Sequence, residues 1–412
     1  MKKILLIIFD GLADRPIKEL GDKTPLDVAK TPNLDRLTFL GAIGTQNALS
    51  KKEYPTSEES HFEIFGYEHI GDMPGRGVLE ALGLGVPVGR GELALRVNFA
   101  TVDENLKVLD PRAGNIKDNR SFSELVKEEK INQFNFRLYP GLAHRAALVV
   151  SGGPVSSAIN HHSTIVTDTD PHKAKNHLGG DRVIRPSAVD NKAESVLTAE
   201  TLWKYQLLTH NKLNSFIENK VRKRQGLLPV NFLLTRGAGF KKEVDSFYEK
   251  YKLNAACVAG APLYKGIAKY FGMDVVDVPG ATGGVDTNID AKVKKSTELL
   301  RSGYDFVFMH LKGADVVAEE DGDFEAKIKF FEKADKAFSD LTRFQGIICI
   351  TGDHATPCIL KDHSADEVPI LIVGEKSDQV QRFTEKESKN GSLGHIKGKE
   401  IMPKLINEAK NV

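Results

Sequence analysis

The sequence predicts an α/β fold with a largely parallel sheet flanked by helices and a smaller inserted α+β domain. Continuous apolar runs, typical of strands buried on both faces, occur near both ends of the chain. Each run stops close to an acid or a histidine, and the carboxyl edge of such a sheet is where α/β proteins bind ligands. Shorter and alternating hydrophobic runs in the middle of the chain indicate the inserted domain.

The predicted strands follow in chain order. Ile4 to Phe9 is continuously apolar and delivers Asp10 to the sheet edge. Phe306 to Leu311 and Ile347 to Ile350 repeat the pattern, and VPILIVG adds a fourth strand after a histidine-containing loop. Because strands from both ends stop at similar residues, we expect them to share one sheet. The acids and histidines at their ends are Asp10, Asp315, Asp353, His354 and His363.

The middle of the chain, from about Gly85 to Leu253, has a different pattern. It contains alternating stretches such as LALRVNFATV, a basic helical segment and loops rich in Gly, Asn and His. We therefore predict one domain from residues 1–84 and 254–412, interrupted by a second domain at 85–253.

Composition excludes several classes of protein. The 412 residues are 41% hydrophobic and 27% charged, which is typical of a soluble globular chain. The formal net charge of +1 argues against nucleic acid or a membrane surface as partner. The first apolar run is too short to span a membrane, so we expect a cytoplasmic protein. Nothing in the composition assigns an oligomeric state.

Three cysteines without CxxC spacing predict buried free thiols: Cys257, Cys349 and Cys358.

The acids and histidines at the strand ends predict a metal centre. Carboxylate oxygens mixed with imidazole nitrogens suit Mn²⁺ or Zn²⁺, and two ions about 4 Å apart would clamp a phosphoryl group. For any one residue the alternative is a solvated turn acid or a hydrogen-bonded loop histidine. TGDH, followed nine residues later by His363, is the most specific part of the pattern.

The segment YPTSEESHFEIFGY offers a nucleophile. Ser57 or Ser60 would need a base or a metal for activation, and so would have to lie near the acids. The alternative is a helix N-cap, because serine followed by acids before an apolar run is a common helix start. The two roles are compatible, since a helix N-terminus stabilises a phosphorylated serine.

Basic residues beside glycine in loops are candidates for binding phosphate or carboxylate, although most arginines are simply solvated. Arg236 is the strongest of them, because it follows an apolar run and precedes GAG at a predicted sheet edge. The full set is Arg76, Arg112, Arg145, His172, Arg222, Arg236 and Lys265.

Eleven segments in order, among them IIFDGLADRPIKELGDKTPLDVAKTPNLDRL, HFEIFGYE, GRGVLEALGLG, TDTDPHK, HLKGAD, TGDHATP and HSADEVPILIVG, carry a resemblance. The chain resembles the archaeal-type cofactor-independent (2,3-bisphosphoglycerate-independent) phosphoglycerate mutases of the alkaline phosphatase superfamily. The resemblance extends from the first strand to about Gly374 and implies an alkaline-phosphatase-like core. It implies that the domain at 1–84 and 254–412 is the metal-binding catalytic domain and that the inserted domain at 85–253 binds the substrate.

The resemblance also implies the site residues. Aligning HFEIFGY places the family's phosphorylated serine at Ser57. Our own hypothesis adds that Lys312 or Lys265 neutralises charge on the transferred phosphoryl group. One metal would be held by Asp10, Ser57, Asp353 and His354, and the other by Asp315, His363 and a further histidine. The phosphoglycerate pocket would be lined by Arg145, Asp170, His172, Arg236 and Lys265, with Arg112 and Arg222 as weaker candidates.

Two departures from the family pattern affect this site. Thr56, Glu58 and Glu59 replace the family's glycine, aspartate and threonine around the nucleophile. Glu319 stands where the further histidine is expected, and an alignment on the downstream segment puts Glu320 there instead. Either glutamate could coordinate Mn²⁺, but a carboxylate adds negative charge at the ion and shifts selectivity away from zinc.

The implied function is an isomerase of glycolysis and gluconeogenesis that interconverts 3-phosphoglycerate and 2-phosphoglycerate through a phosphoserine. It would use two divalent ions, preferably Mn²⁺ with Co²⁺, Mg²⁺ or Zn²⁺ as alternatives, and no 2,3-bisphosphoglycerate. The departures keep two other functions open. One is a metal-dependent phosphatase or phosphomutase acting on another small phosphoester, and the other is a metal-depleted, non-catalytic paralogue.

Overall fold

The computed structural model describes residues 1–49, 54–155, 164–171 and 181–410. Its strands are β1 (Ile4–Phe9), β2 (Ala42–Asn47), β3 (Leu93–Val102), β4 (Val108–Asp110), β5 (Glu128–Ile131), β6 (Phe134–Pro140), β7 (Arg145–Gly152), β8 (Phe232–Phe240), β9 (Ala255–Val258), β10 (Asp274–Val275), β11 (Phe306–Leu311), β12 (Ile347–Gly352), β13 (Val368–Val373) and β14 (Gly394–Lys397). Its helices are α1 (Pro25–Val28), α2 (Pro32–Leu40), α3 (Ser57–Ile64), α4 (Arg76–Gly83), α5 (Arg120–Leu125), α6 (Ala193–Ser215), α7 (Ile217–Arg224), α8 (Phe247–Tyr251), α9 (Pro262–Tyr270), α10 (Ile289–Arg301), α11 (Gly313–Glu320), α12 (Phe324–Ala337), α13 (Glu385–Ser388) and α14 (Gly398–Lys410).

The chain divides into two compact units, Met1–Met73 with Val244–Val412, and Pro74–Glu243. The crossings precede the predicted positions at 84/85 and 253/254, and local packing explains the difference. Helix α4 places Val78 against Ala94 and Val149 of the second unit. Phe247, which begins α8, packs against Phe306 of the first unit. The assignment of a catalytic and a substrate-binding role to the two units stays a prediction.

The first unit is built on an eight-stranded sheet in the order β10-β9-β11-β1-β12-β13-β2-β14. Strand β1 lies at its centre and pairs in parallel with β11 and β12, so both ends of the chain share this sheet, as predicted. The predicted limits of β1 and β11 are confirmed, and β12 extends two residues further, to Gly352. Strand β13, the VPILIVG run, is antiparallel to both of its neighbours.

Apolar side chains on both faces of β1 explain its continuous hydrophobic sequence. All six residues are buried, and each such side chain contributes about 1.5–3 kcal/mol by leaving water. Phe9, for example, makes edge-to-face contacts with Phe330, Phe331 and Phe338 at ring-centroid distances of 6.0–6.5 Å. The predicted free thiols, Cys257, Cys349 and Cys358, are all buried in this unit.

The second unit contains an antiparallel sheet in the order β4-β3-β7-β6-β5, with β8 paired to β3. Helix α6 covers one face, where Tyr205 stacks on Phe136 at a centroid distance of 4.4 Å. This α+β arrangement agrees with the alternating strands predicted for the middle of the chain. None of the helices in the described ranges combines the length and the apolar character needed to cross a membrane.

Candidate active site

Three adjacent strands of the first unit bring the predicted acids together. Phe9, which ends β1, is in register with Leu311 of β11 and Gly352 of β12. The next residue of each strand therefore emerges at the same sheet edge, and these residues are Asp10, Lys312 and Asp353. Both aspartates are buried. The sheet edge thus concentrates charge where a ligand can be held.

Ser57 is the first residue of α3, and its neighbour Thr56 is the N-cap. The Thr56 hydroxyl accepts a hydrogen bond from the Glu59 backbone N–H, and the Glu59 carboxylate accepts one from the Thr56 N–H at 3.0 Å. The capping role considered for Ser57 or Ser60 therefore belongs to Thr56, which leaves the Ser57 hydroxyl available. Buried Ser57 places its Oγ 3.2 Å from Nε2 of His354.

His354 and two aspartates form the first group of potential ligands. His354 Nε2 lies 3.3 Å from Asp10 Oδ1 and 3.4 Å from Asp353 Oδ2. Asp353 Oδ1 accepts hydrogen bonds from the backbone N–H groups of Gly11 at 3.2 Å and His354 at 3.0 Å. Gly11 has φ +69°, and a Cβ there would lie 2.6 Å from Thr356 Oγ1. A glycine is therefore required for this turn beneath the group.

Asp315 and His363 form a second group beside the first. His363 Nε2 lies 3.5 Å from Asp315 Oδ1, and its Nδ1 donates to the Pro55 carbonyl at 2.9 Å. The Thr356 hydroxyl donates to Asp315 Oδ1 at 2.9 Å. The rings of His354 and His363 stack at 3.6 Å, which places the two groups next to each other.

Lys312 bridges the two groups. Its Nζ lies 3.0 Å from Asp10 Oδ2 and 2.5 Å from Asp315 Oδ2. Tyr264 also donates a hydrogen bond to Asp10 Oδ2. Burial would lower the pKa of Lys312, but the charges of Asp10 and Asp315 outweigh it and hold the pKa well above its ordinary value. The lysine is therefore charged at neutral pH.

The residues present fit divalent cations. Histidine and carboxylate side chains form three groups with ligand atoms within 4.8 Å of one another, namely Asp10/Asp353/His354, Asp315/His354/His363 and His61/His310/Asp353. Asp10 Oδ1 and Asp353 Oδ2 are buried without a hydrogen-bond partner in the part of the chain that the structure describes. A buried oxygen in this state costs about 1–3 kcal/mol, which a bound cation would recover.

The pKa values of three of these side chains in the absence of metal also support a divalent-cation site. Burial, with repulsion from Asp10 and Asp315, raises the pKa of Asp353 well above its ordinary value. Burial and the charge of Asp315 raise the pKa of Asp10 to about 6. For His363, burial is outweighed by the hydrogen bond to Asp315, and the pKa rises to about 9. At neutral pH, His363 therefore holds a proton that a divalent ion would displace, and an ion would also offset the cost of charging buried Asp353.

Glu319 and Glu320 occupy the end of α11, the position at which the resemblance implies a histidine. Glu319 is half-buried and Glu320 is exposed. Within the described ranges neither belongs to one of the three groups. That either glutamate coordinates an ion stays a prediction.

The sequence pattern missed two histidines at this site, His61 and His310, which are fully buried. His61 lies four residues after Ser57, on the same face of α3, and this spacing was the only signal available. Its Nδ1 donates to the Ser57 carbonyl at 2.7 Å. Burial lowers the pKa of His61 to about 4 and that of His310 well below its ordinary value, so both rings are neutral at pH 7.

The second unit gathers several of the predicted basic residues around β3. Arg145 of β7 is in register with Asn98, and Arg236 of β8 with Arg96. Arg96 was not predicted, and its Nη1 lies 3.9 Å from the Glu80 carboxylate. Burial, then repulsion from Arg145, lowers the pKa of Arg96 to about 9. Such crowding of positive charge favours a bound anion.

The remaining predicted pocket residues have individual positions. Arg236 Nη1 lies 3.8 Å from Asp170 Oδ2 in the second unit. Lys265 belongs to the first unit, where its Nζ pairs with Asp277 at 2.5 Å. Arg222 donates to the carbonyl oxygens of the residues Leu228 and Ala113. His172 lies outside the described residues.

Comparisons with known proteins identify the family. Residues 2–408 match the Metalloenzyme superfamily. A 2,3-bisphosphoglycerate-independent phosphoglycerate mutase of Saccharolobus islandicus is 41% identical, covering 98% of this chain and 97% of its own length. One from Methanocaldococcus jannaschii is 40% identical over 98% of this chain and 96% of its own.

Solved structures agree with the sequence relatives. A Pyrococcus horikoshii protein aligns with a TM-score of 0.83 at 33% identity, covering 100% of this chain and 99% of that chain. The cofactor-independent phosphoglycerate mutase of Thermoplasma acidophilum aligns with a TM-score of 0.68 at 33% identity, covering 99% and 100%. These neighbours confirm the predicted fold class. The chain therefore belongs to the Metalloenzyme superfamily and, within it, to the 2,3-bisphosphoglycerate-independent phosphoglycerate mutases.

Proposed function

We propose that this chain interconverts 3-phosphoglycerate and 2-phosphoglycerate through a phosphoserine at Ser57, without 2,3-bisphosphoglycerate. The observation that carries the proposal is the buried Ser57 hydroxyl, 3.2 Å from His354 within the acid–histidine cluster. The relatives, which are named as phosphoglycerate mutases, support this reaction over other phosphoester chemistry.

The reaction needs one nucleophile used twice. Ser57 Oγ attacks the phosphorus of 3-phosphoglycerate, and the bond between phosphorus and the C3 oxygen breaks as the new bond forms. The Ser57 hydroxyl gives up its proton in this step, and the departing oxygen takes up one proton to give glycerate. The C2 hydroxyl of glycerate then attacks the phosphoserine, which regenerates Ser57 and releases 2-phosphoglycerate. The Lys312 ammonium and the N-terminus of α3 would stabilise negative charge on the phosphoryl oxygens.

Two divalent ions would assist this transfer. One would be held by Asp10, Ser57, Asp353 and His354, and the other by Asp315, His363 and either Glu319 or Glu320. When bound, such ions act as Lewis acids that neutralise charge on the phosphoryl oxygens. Mixed carboxylate and imidazole ligands favour Mn²⁺, with Co²⁺, Mg²⁺ and Zn²⁺ as alternatives.

Basic residues would select the small anionic substrate. We assign the carboxylate and phosphate contacts to Arg145, Asp170, His172, Arg236 and Lys265. The best support is Arg145, whose Nε is buried without a hydrogen-bond partner among the described residues. A guanidinium in this state is suited to a bidentate contact with a carboxylate or phosphate. The substrate places the protein in glycolysis and gluconeogenesis, and we infer a cytoplasmic location from that role.

The direct test is a mutase assay on metal-stripped protein reconstituted with Mn²⁺, Co²⁺ or Mg²⁺. We expect 2-phosphoglycerate to form from 3-phosphoglycerate without 2,3-bisphosphoglycerate, detected by coupling to enolase. Absence of product with every metal would reject the proposed reaction. Release of inorganic phosphate from other phosphoesters would instead identify a phosphatase. Failure to retain any divalent ion would identify a non-catalytic paralogue.

The nucleophile is tested by Ser57→Ala, with Ser60→Ala as the matched control in the same helix. Ser57→Ala should abolish turnover and the phosphorylated form detected by intact-protein mass spectrometry. Ser60 is buried, but its hydroxyl contacts none of the described acids at hydrogen-bond distance, so its loss should leave the phosphoenzyme intact. Activity that survives in Ser57→Ala and disappears in Ser60→Ala would move the nucleophile to Ser60.

A further inference from the structure

We infer that His61, His310 and Asp353 form a third divalent-cation site, next to the two metal positions of the proposed reaction. Each side chain offers a ligand atom within 4.8 Å of the other two, and all three side chains are buried. His61 comes from α3, His310 from β11 and Asp353 from the end of β12. Neither histidine has a part in the proposed mutase reaction.

Each of these three side chains has a buried polar atom without a partner among the described residues. His61 Nε2, His310 Nε2 and Asp353 Oδ2 are each buried without a hydrogen-bond partner in the described ranges. His61 Nδ1, which lies 3.7 Å from Asp353 Oδ2, donates to the Ser57 carbonyl, so the lone pair of this neutral ring lies on Nε2. Histidines that bind metals commonly donate their other ring N–H to a carbonyl in this way.

The spacing of the two rings fits a shared ion. The ring centroids of His61 and His310 lie 5.3 Å apart. Two imidazoles bound to one tetrahedral ion at Zn–N distances of about 2.0–2.1 Å have centroids about 5 Å apart. The carboxylate would move inward, because ligand atoms on such an ion are about 3.4 Å apart.

Packing alone does not account for these histidines. His310 stacks on Tyr264 at 3.4 Å, and His61 lies 5.6 Å from Phe308, measured between ring centroids. These contacts would suit phenylalanine as well, whereas each buried imidazole nitrogen without a partner carries a desolvation cost. An apolar wall around two imidazoles and a carboxylate is, however, typical of a tightly held metal.

The ligands also indicate which ion is bound. Two imidazoles and one carboxylate favour Zn²⁺ or Co²⁺, whereas the oxygen-richer positions around Asp10 and Asp315 favour Mn²⁺. Because His61 also holds the Ser57 carbonyl, an ion at this site would fix the first turn of α3. The site would therefore act as an anchor that positions the helix carrying Ser57.

The test counts metal ions in the full-length protein. Metal-stripped wild type, His61→Gln and His310→Gln would be saturated with Zn²⁺ and analysed by inductively coupled plasma mass spectrometry after removal of free ion. His69→Gln is the matched control, since His69 pairs with Glu63 at 2.7 Å and belongs to none of the three groups among the described residues. We expect both ligand variants to bind one equivalent fewer than wild type and the control.

Equal stoichiometry in wild type and both ligand variants would overturn the inference. Because a variant can fail to fold, crystals of the wild type soaked in Zn²⁺ provide a second measurement. Anomalous density between His61 and His310 would support the site, and its absence with zinc bound elsewhere would overturn it. His363→Gln separates this result from the mutase proposal, since it should lose activity and retain the His61-dependent equivalent.

Discussion

Lys312→Met tests whether the lysine ammonium substitutes for a cation in the metal-free protein. Its Nζ lies 3.0 Å from Asp10 Oδ2 and 2.5 Å from Asp315 Oδ2, and both carboxylates are buried. Methionine keeps much of the apolar side chain but removes the charge. We therefore expect the metal-free variant to be less stable than wild type at pH 7.

The size of the effect follows from the cost of neutralising a buried acid. Without Lys312, Asp315 loses the charge that holds its pKa well below the ordinary value against the effect of burial. Keeping an aspartate with an ordinary pKa of about 3.9 protonated at pH 7 costs about 1.36 kcal/mol per pH unit, or about 4 kcal/mol. Removing one partner of a buried ion pair typically costs about 3–5 kcal/mol.

The same reasoning gives the pH dependence. In wild type, the lowered pKa of Asp315 contributes stability above its unfolded pKa, and this stability is lost as the pH falls. In the variant, a raised pKa makes the folded state lose stability as the pH rises. The difference between the two proteins should therefore be largest near pH 7 and disappear toward about pH 4.

Urea denaturation of chelator-treated protein at pH 5, 6 and 7, followed by circular dichroism, measures this difference. Lys265→Met is the matched control, because its Nζ also lies 2.5 Å from a carboxylate, but the Asp277 side chain is 84% exposed. Such a surface pair contributes about 0–1 kcal/mol. Equal losses in both variants, or a Lys312 effect that does not shrink at pH 5, would refute the reasoning.

Three further predictions concern the turn, the basic cluster and a remote acid. Gly11→Ala should lower the free energy of unfolding by about 3 kcal/mol in urea denaturation, because φ is +69° and a Cβ would lie 2.6 Å from Thr356 Oγ1. Arg145→Gln should weaken binding of 3-phosphoglycerate about 10- to 100-fold by calorimetry, whereas Arg222→Gln should not; equal losses would contradict the assignment. Burial raises the pKa of Glu385 from 4.5 to about 7, so its stabilising effect is lost as the pH rises through this range. Glu385→Gln should flatten that decline in unfolding free energy, and an unchanged slope would contradict the shift.

The strands that carry the site could be predicted because a strand buried on both faces is recognised in the sequence as a continuous apolar run. A strand such as β1 must be apolar at every position, and the first polar residue marks its end. An apolar run does not show whether a strand lies parallel or antiparallel to its neighbours. The VPILIVG run of β13 therefore gave no indication that it lies antiparallel to β12.

The residues that were missed lie inside secondary structure elements, where a single polar residue among apolar neighbours does not mark the end of a strand. His310 precedes the last residue of β11 within an apolar run, and Arg96 sits between apolar neighbours of β3. Their importance depends on what faces them across the sheet. Arg96 joins the basic cluster because β8 places Arg236 in register with it, and that pairing comes from a segment far along the chain.

The central position of β1 has a consequence for synthesis of the chain. Its parallel partners are β11 and β12, and the first of them begins at Phe306. At about 5–20 residues per second, the ribosome needs about 15–60 s to make the roughly 300 residues in between. The second unit, Pro74–Glu243, is complete before then. The apolar β1 therefore lacks both of its parallel partners during this time, which makes the nascent chain, rather than the native protein, the form most exposed to aggregation.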